Sequence, residues 1–254
     1  MVFIFHIFIF IFGLAIGSFL NCVIYRLEQD QSFLKGRSYC PQCKCVLRWT
    51  DLIPVISFLL LGGKCRYCKS HISLQYPLIE MATGFLFLLI FGHQSSIFNL
   101  DLVFLFYITS VFIVIFVYDL KHYLIPDSIL FPAIGITFAY RLWNIAFLGN
   151  YILAIGLAAG FFLFIFLVSN GNWMGFGDVK LVILLGLLLG FPGILTGLFL
   201  AFAMGAIVGV ISMLIYKRGL KSEIPFAPFL IGGTGIAFFW GPALINCYRY
   251  VFFF

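Results

Sequence analysis

Apolar residues run in long blocks separated by short polar stretches. Blocks of near-uniform apolarity occupy residues 2–24, 76–91, 100–118, 128–148, 151–168, 192–216 and 228–248. A helix crossing a bilayer needs about 20 mostly apolar residues, and each of these blocks predicts one. A shorter block, 179–190, precedes Phe191, Pro192 and Gly193, where proline and glycine break the helix. The pattern predicts about eight transmembrane helices, or seven if the short block re-enters on one side. The first block is too long, and too little flanked by basic residues, for a cleavable signal, so it is read as a retained span.

Composition agrees. Of 254 residues, 63% are hydrophobic and only 9% charged, and 34 are Phe. Water cannot be the solvent for so much apolar surface. A soluble enzyme, a disordered tail, a secreted disulfide scaffold and a nucleic-acid reader are excluded, leaving an all-α polytopic membrane protein. The net charge of +6 follows the loops. If residues 26–75 are cytoplasmic, alternation of eight spans places every Lys and Arg except Arg141 and Arg249 on that side. This obeys the positive-inside rule and puts the N-terminus outside. Seven spans would move Lys217, Arg218 and Lys221 outward.

Within residues 26–75, Cys40 and Cys43 form one C-x2-C knuckle, and Cys65 and Cys68 another, with 21 residues between them. Two close thiolate pairs suit a tetrahedral, structural Zn2+ site, although the spacer is slightly long. A pair of redox-active dithiols is the competing reading; a cytoplasmic location disfavours stable disulfides. Cys22, Cys45 and Cys247 read as ordinary small apolar residues. A loop this size cannot build a core unaided, and a metal would explain its folding. Between the knuckles, residues 51–62 are apolar but too short to span, which predicts one interfacial helix.

Nine acids are few enough to weigh singly. Glu28, Asp30, Asp51, Asp101 and Glu223 read as solvated loop or helix-end charges. Asp127 and Asp178 each precede an apolar block, as helix caps do. Asp119 differs, because it ends an apolar helix, where the helix dipole opposes a carboxylate. An ionisable group there is a functional candidate. Two spans separate Asp119 from Asp178, so both lie on one face whatever the orientation. Two such carboxylates could share a proton. One would then act as base on water while the other polarises a carbonyl, the logic of an aspartyl protease. Gly175 and Gly177, just before Asp178, would let the backbone approach a neighbour closely.

These pieces together resemble the type IV prepilin peptidases, the membrane aspartyl proteases that mature type IV pilins and type II secretion pseudopilins. The resemblance runs through Gly17 to Arg26, the two knuckles flanking Asp51 to Pro54, and Tyr76 to Glu80. It continues through Asp119 to Asp127, Gly175 to Lys180, and Ile224 to Phe229. It implies Asp119 and Asp178 as the catalytic pair, with Asp127, Gly175, Gly177 and Lys180 as supporting motif residues. It also implies prepilin substrates with a basic leader, cut at the cytoplasmic face of the bacterial inner membrane. Many members are similar in methylating the new N-terminus from S-adenosylmethionine; Glu80 is the candidate for that half. The implied division is a first helix (1–25), a methyltransferase-associated four-cysteine loop (26–75) and a protease bundle (76–254). Ala227 stands where the family usually has Gly, and Cys45 adds a thiol beside the first knuckle. The alternatives are a membrane thiol–disulfide oxidoreductase using the C-x2-C pairs, and a non-catalytic assembly component with a zinc loop.

Overall fold

The computed structural model describes the backbone of residues 2–32, 36–94, 99–143, 148–216 and 224–253, and side chains through 246 except those of Val2 and Tyr216. Lys35, Lys217, Arg218, Lys221 and Glu223, and the side chains of Cys247 and Arg249, lie outside the described residues. The described chain is helical: α1 Val2–Glu28, α2 Ile56–Leu60, α3 Gln75–His93, α4 Leu100–His122, α5 Asp127–Leu142, α6 Leu148–Ser169, α7 Phe176–Leu189, α8 Gly193–Tyr216 and α9 Ala227–Phe253. Six of these (α1, α3, α4, α6, α8 and α9) are long and apolar enough to cross a membrane. Helices α5 and α7 have 16 and 14 residues, or roughly 24 and 21 Å at 1.5 Å per residue, against a hydrocarbon core of about 30 Å. The expected count of eight therefore depends on these two.

The chain divides into two compact units, residues 1–114 and 115–254. In the first, α1 packs along α3 at backbone contact. A Cβ on Gly13 would come within 2.7 Å of Gly84 Cα, and one on Gly17 within 2.7 Å of Glu80 Cα. Small residues one turn apart allow that approach, as between membrane helices generally. Phe87 of α3 stacks on Phe106 of α4 with centroids 4.1 Å apart.

The second unit is built around α7. Leu181, Val182, Leu184 and Leu185 are fully buried, with α5, α6, α8 and α9 packed around them. A helix buried on every side needs no amphipathic stripe and can be short. Arg141 of α5 closes its far end, donating to the carbonyls of Leu187 (3.0 Å) and Leu188 (2.8 Å) with its guanidinium over the Tyr151 ring. Outward faces of α6 and α8 expose Phe164, Leu167, Phe199 and Leu214, as lipid-facing helices do.

The single interfacial helix expected over 51–62 is corrected. The segment is a 3-10 turn, Trp49–Leu52, and the short α2, separated by extended Ile53, Pro54 and a left-handed Val55 at φ +60°. A β-branched residue is a genuine outlier in that conformation.

Candidate active site

The four cysteines occupy two matching turns. In the first, Cys40 N–H donates to Cys45 O and Lys44 N–H to Cys40 O; in the second, Cys65 N–H donates to Ser70 O and Lys69 N–H to Cys65 O. Lys44 and Lys69 both adopt positive φ. Each turn thus presents two sulfurs on one side, and the turns face each other. The Sγ atoms of Cys40, Cys43, Cys65 and Cys68 all lie within 4.8 Å of one another. Cys40 and Cys68 Sγ are 3.8 Å apart, and a tetrahedral zinc with bonds of about 2.3 Å requires about 3.8 Å between sulfurs. Cys45 is exposed and outside the group.

Ionisation within the cluster is uneven. The Ser70 hydroxyl, 3.0 Å away, and the Ser70 backbone draw the Cys68 thiol down to about 6. For Cys43 the backbone of Cys45 favours the thiolate, but desolvation and the sulfurs of Cys45, Cys40 and Cys68 oppose it, leaving the thiol pushed up to about 12. A divalent cation would offset that crowding of negative charge. The donor set and its spacing fit zinc.

Asp51, read in the sequence as a solvated loop acid, is half-buried as a residue, with a side chain only 3% exposed. It accepts from Arg66 Nε at 2.7 Å, Arg48 N–H at 3.1 Å and the Tyr67 hydroxyl at 3.3 Å. Burial works against its charge, but Arg66 and the Arg48 N–H outweigh it and hold the carboxyl below its usual range. It joins the segment between the knuckles to the second knuckle. The signal missed was non-local, since Arg66 and Tyr67 are 15 and 16 residues away. Glu80, buried in α3, accepts the Val55 N–H at 2.7 Å. It thereby holds the left-handed turn of the loop against a membrane helix.

Asp119 ends α4 and is 5% exposed. The N–H of Ala227, first residue of α9, hydrogen-bonds its carboxylate. A helix start thus receives a carboxylate that its own helix end disfavours. The Oδ2 atom is buried without a hydrogen-bond partner among the described residues, an arrangement that calls for a proton, a water or a ligand. Asp178 lies in the first turn of α7 and accepts the N–H of Gly175, the residue capping that helix. The charge of Asp119 acts directly on Asp178, so the fold brings within electrostatic range two acids 59 positions apart in the chain.

Two capping expectations are corrected. Pro126, not Asp127, occupies the cap position of α5, and the Asp127 carboxylate instead takes two 2.8 Å bonds from Lys180. Asp178 sits three residues inside its helix, with Gly175 as the cap. Close approach falls to Gly177, where a Cβ would press on Ile125 at 3.3 Å; at Gly175 it would meet only the Asp178 carboxylate, at 3.7 Å.

Comparisons with known proteins bear on the family. Residues 11–94 match the bacterial peptidase A24 N-terminal domain, and residues 104–210 the type IV leader peptidase family. Three relatives are each named a prepilin leader peptidase/N-methyltransferase. The Myxococcus xanthus protein is 37% identical over 86% of this chain and 67% of its own length. The Bacillus subtilis protein is 34% identical over 94% and 96%, and the Legionella pneumophila protein 32% identical over 94% and 92%. No solved structure matches. With its membrane-spanning helices, the chain is a bacterial inner-membrane enzyme, and it belongs to the type IV leader peptidase family.

Proposed function

We propose that this protein cleaves the leader peptide from type IV prepilins or type II secretion pseudopilins through Asp119 and Asp178, and N-methylates the residue so exposed. The observation that carries the peptidase reading is the pair itself: a buried Asp119 and a half-buried Asp178, each taking one N–H from a helix start, with Asp119 Oδ2 unpartnered. The pair holds one proton. The ionised acid removes a proton from water, whose oxygen attacks the scissile carbonyl carbon, while the protonated acid hydrogen-bonds the carbonyl oxygen. Collapse of the tetrahedral intermediate breaks the C–N bond, and the leaving amine takes a proton back from the pair. Neither step needs a metal.

Cleavage takes place at the cytoplasmic face. The excess of Lys and Arg in residues 26–75 supports that orientation. Cys40, Cys43, Cys65 and Cys68 would hold one Zn2+, which would fix the loop without entering the peptidase reaction. The methyltransferase half comprises this loop with Glu80, which secures it through Val55. S-adenosylmethionine would supply the methyl group. The dithiol alternative finds less support, because the four sulfurs form one cluster of zinc dimensions instead of two separate pairs.

The test is to incubate purified protein with a pilin precursor and S-adenosylmethionine, then weigh the products. Loss of leader removal in both Asp119→Asn and Asp178→Asn, with folding retained, is expected; cleavage by either variant at the wild-type rate would overturn the pair. Methylation reads out as a separate mass increment.

A further inference from the structure

Lys180 is held in a partly exposed cluster, its partners Asp127, Phe131 and Phe176 each about half exposed. Its ammonium donates to both carboxylate oxygens of Asp127 at 2.8 Å and lies 5.3 Å from the centroid of Phe131 and 5.2 Å from that of Phe176. Asp127 and Phe131 are one turn apart on α5, and Phe176 and Lys180 one turn apart on α7, so one face of each helix supplies two members. Both rings offer their faces to the cation, and the Lys180 side chain is only 21% exposed. The four groups span the starts of α5 and α7, the latter carrying Asp178.

The geometry points to Lys180 and Asp127 as positioning residues that fix the rotation of α7 about its own axis and so aim Asp178. This rests on the proposed Asp119–Asp178 pair. Successive residues of an α-helix are about 100° apart, so Asp178, two positions from both Phe176 and Lys180, projects roughly opposite them. Holding one flank of the first turn therefore sets the direction of the carboxylate on the other. The clamp adds to two weaker restraints on that turn: the Asp178 carboxylate takes the Gly175 N–H, and Gly177 meets Ile125 through its backbone alone. Small angular errors matter, because displacement of a reacting group by about 1 Å can cost a hundredfold in rate. Neither residue of the clamp has to touch the substrate.

The test is a double-mutant cycle on leader cleavage by the full-length protein. Lys180→Met and Asp127→Asn are each expected to lower kcat by about tenfold or more, with KM changed by less than about twofold. The double variant should lose little beyond either single one, because both break the same link. Lys180→Arg, which keeps the charge, the paired donors and the ring contacts, should recover most of the rate. The exchanged pair, Asp127→Lys with Lys180→Asp, should recover part of it, and it replaces the single variants if those do not fold. Additive losses, an effect confined to KM, or no recovery by Lys180→Arg would overturn the clamp. The two readings fail separately. Full activity of Lys180→Met beside an inactive Asp178→Asn removes the clamp and leaves the pair, whereas an active Asp178→Asn removes the pair.

Discussion

Asp51 shows at the scale of one residue how a charge can be misread from its neighbours in sequence. Flanked by Thr50 and Leu52, it takes one local bond from the Arg48 N–H, and only folding brings Arg66 and Tyr67 to it. Its carboxylate is enclosed, so removing the charge leaves those donors poorly satisfied. Asp51→Asn is expected to cost the loop about 1–3 kcal/mol, seen as faster amide exchange over residues 48–68 at unchanged exchange in α3. The sign with pH follows from the lowered carboxyl. The contribution is complete above the usual carboxylate range and fades only as pH falls through the depressed folded value. Asp119 was legible because its difficulty is local, a carboxylate ending an apolar helix. Asp127 was not: its position before an apolar block suggested a cap, and its true partner, Lys180, lies 53 residues away. The cysteine knuckles carried their meaning in spacing alone. Cys40→Ser or Cys65→Ser should lower the zinc content of purified protein from about one per chain towards zero, read by elemental analysis.

Among the elements, the long apolar helices were legible because lipid demands length and composition together. The pieces that position chemistry were less so. Residues 51–62 looked like one surface helix, but Pro54 cannot donate a backbone bond and Val55 turns left-handed, held by Glu80 from α3. Nothing within those twelve residues announces a tie to Glu80. Helix α7 looked like a deficient span; its shortness instead fits a helix enclosed by four others, whose start carries Asp178 and whose end is closed by Arg141. The α1–α3 contact leads to a prediction at this scale. Gly17 lies against the backbone of Glu80 with no room for a side chain. Gly17→Val should therefore push the helices apart, at a cost of about 1–3 kcal/mol or more. Thermal unfolding in detergent would fall accordingly. Because Glu80 sits at that contact, exchange of the Val55 amide should rise in the same variant, a coupling that a substitution at open Gly92 would not produce.

For the whole molecule, charge and hydrophobicity must agree on one path through the bilayer. Eight crossings would put all but two Lys and Arg on one side, which would then also hold the cysteine loop, Asp119 and Asp178. One of the two exceptions, Arg141, binds the carbonyls ending α7, a structural role that would account for its place at the other face. The path turns on α7: as a crossing helix it delivers Phe191 to the outside, and as a re-entrant one it leaves that residue inside. Phe191 is 38% exposed, so a cysteine there is reachable. In a Cys247→Ala background, Phe191→Cys should react with a membrane-impermeant maleimide added to intact spheroplasts, and Asn170→Cys should react only after the membrane is opened. Labelling of neither in sealed spheroplasts would make α7 re-entrant and reduce the crossings, and labelling of Asn170→Cys alone would reverse the orientation. The basic segment containing Lys217 would then face outward, against the electrical bias that orders every other loop.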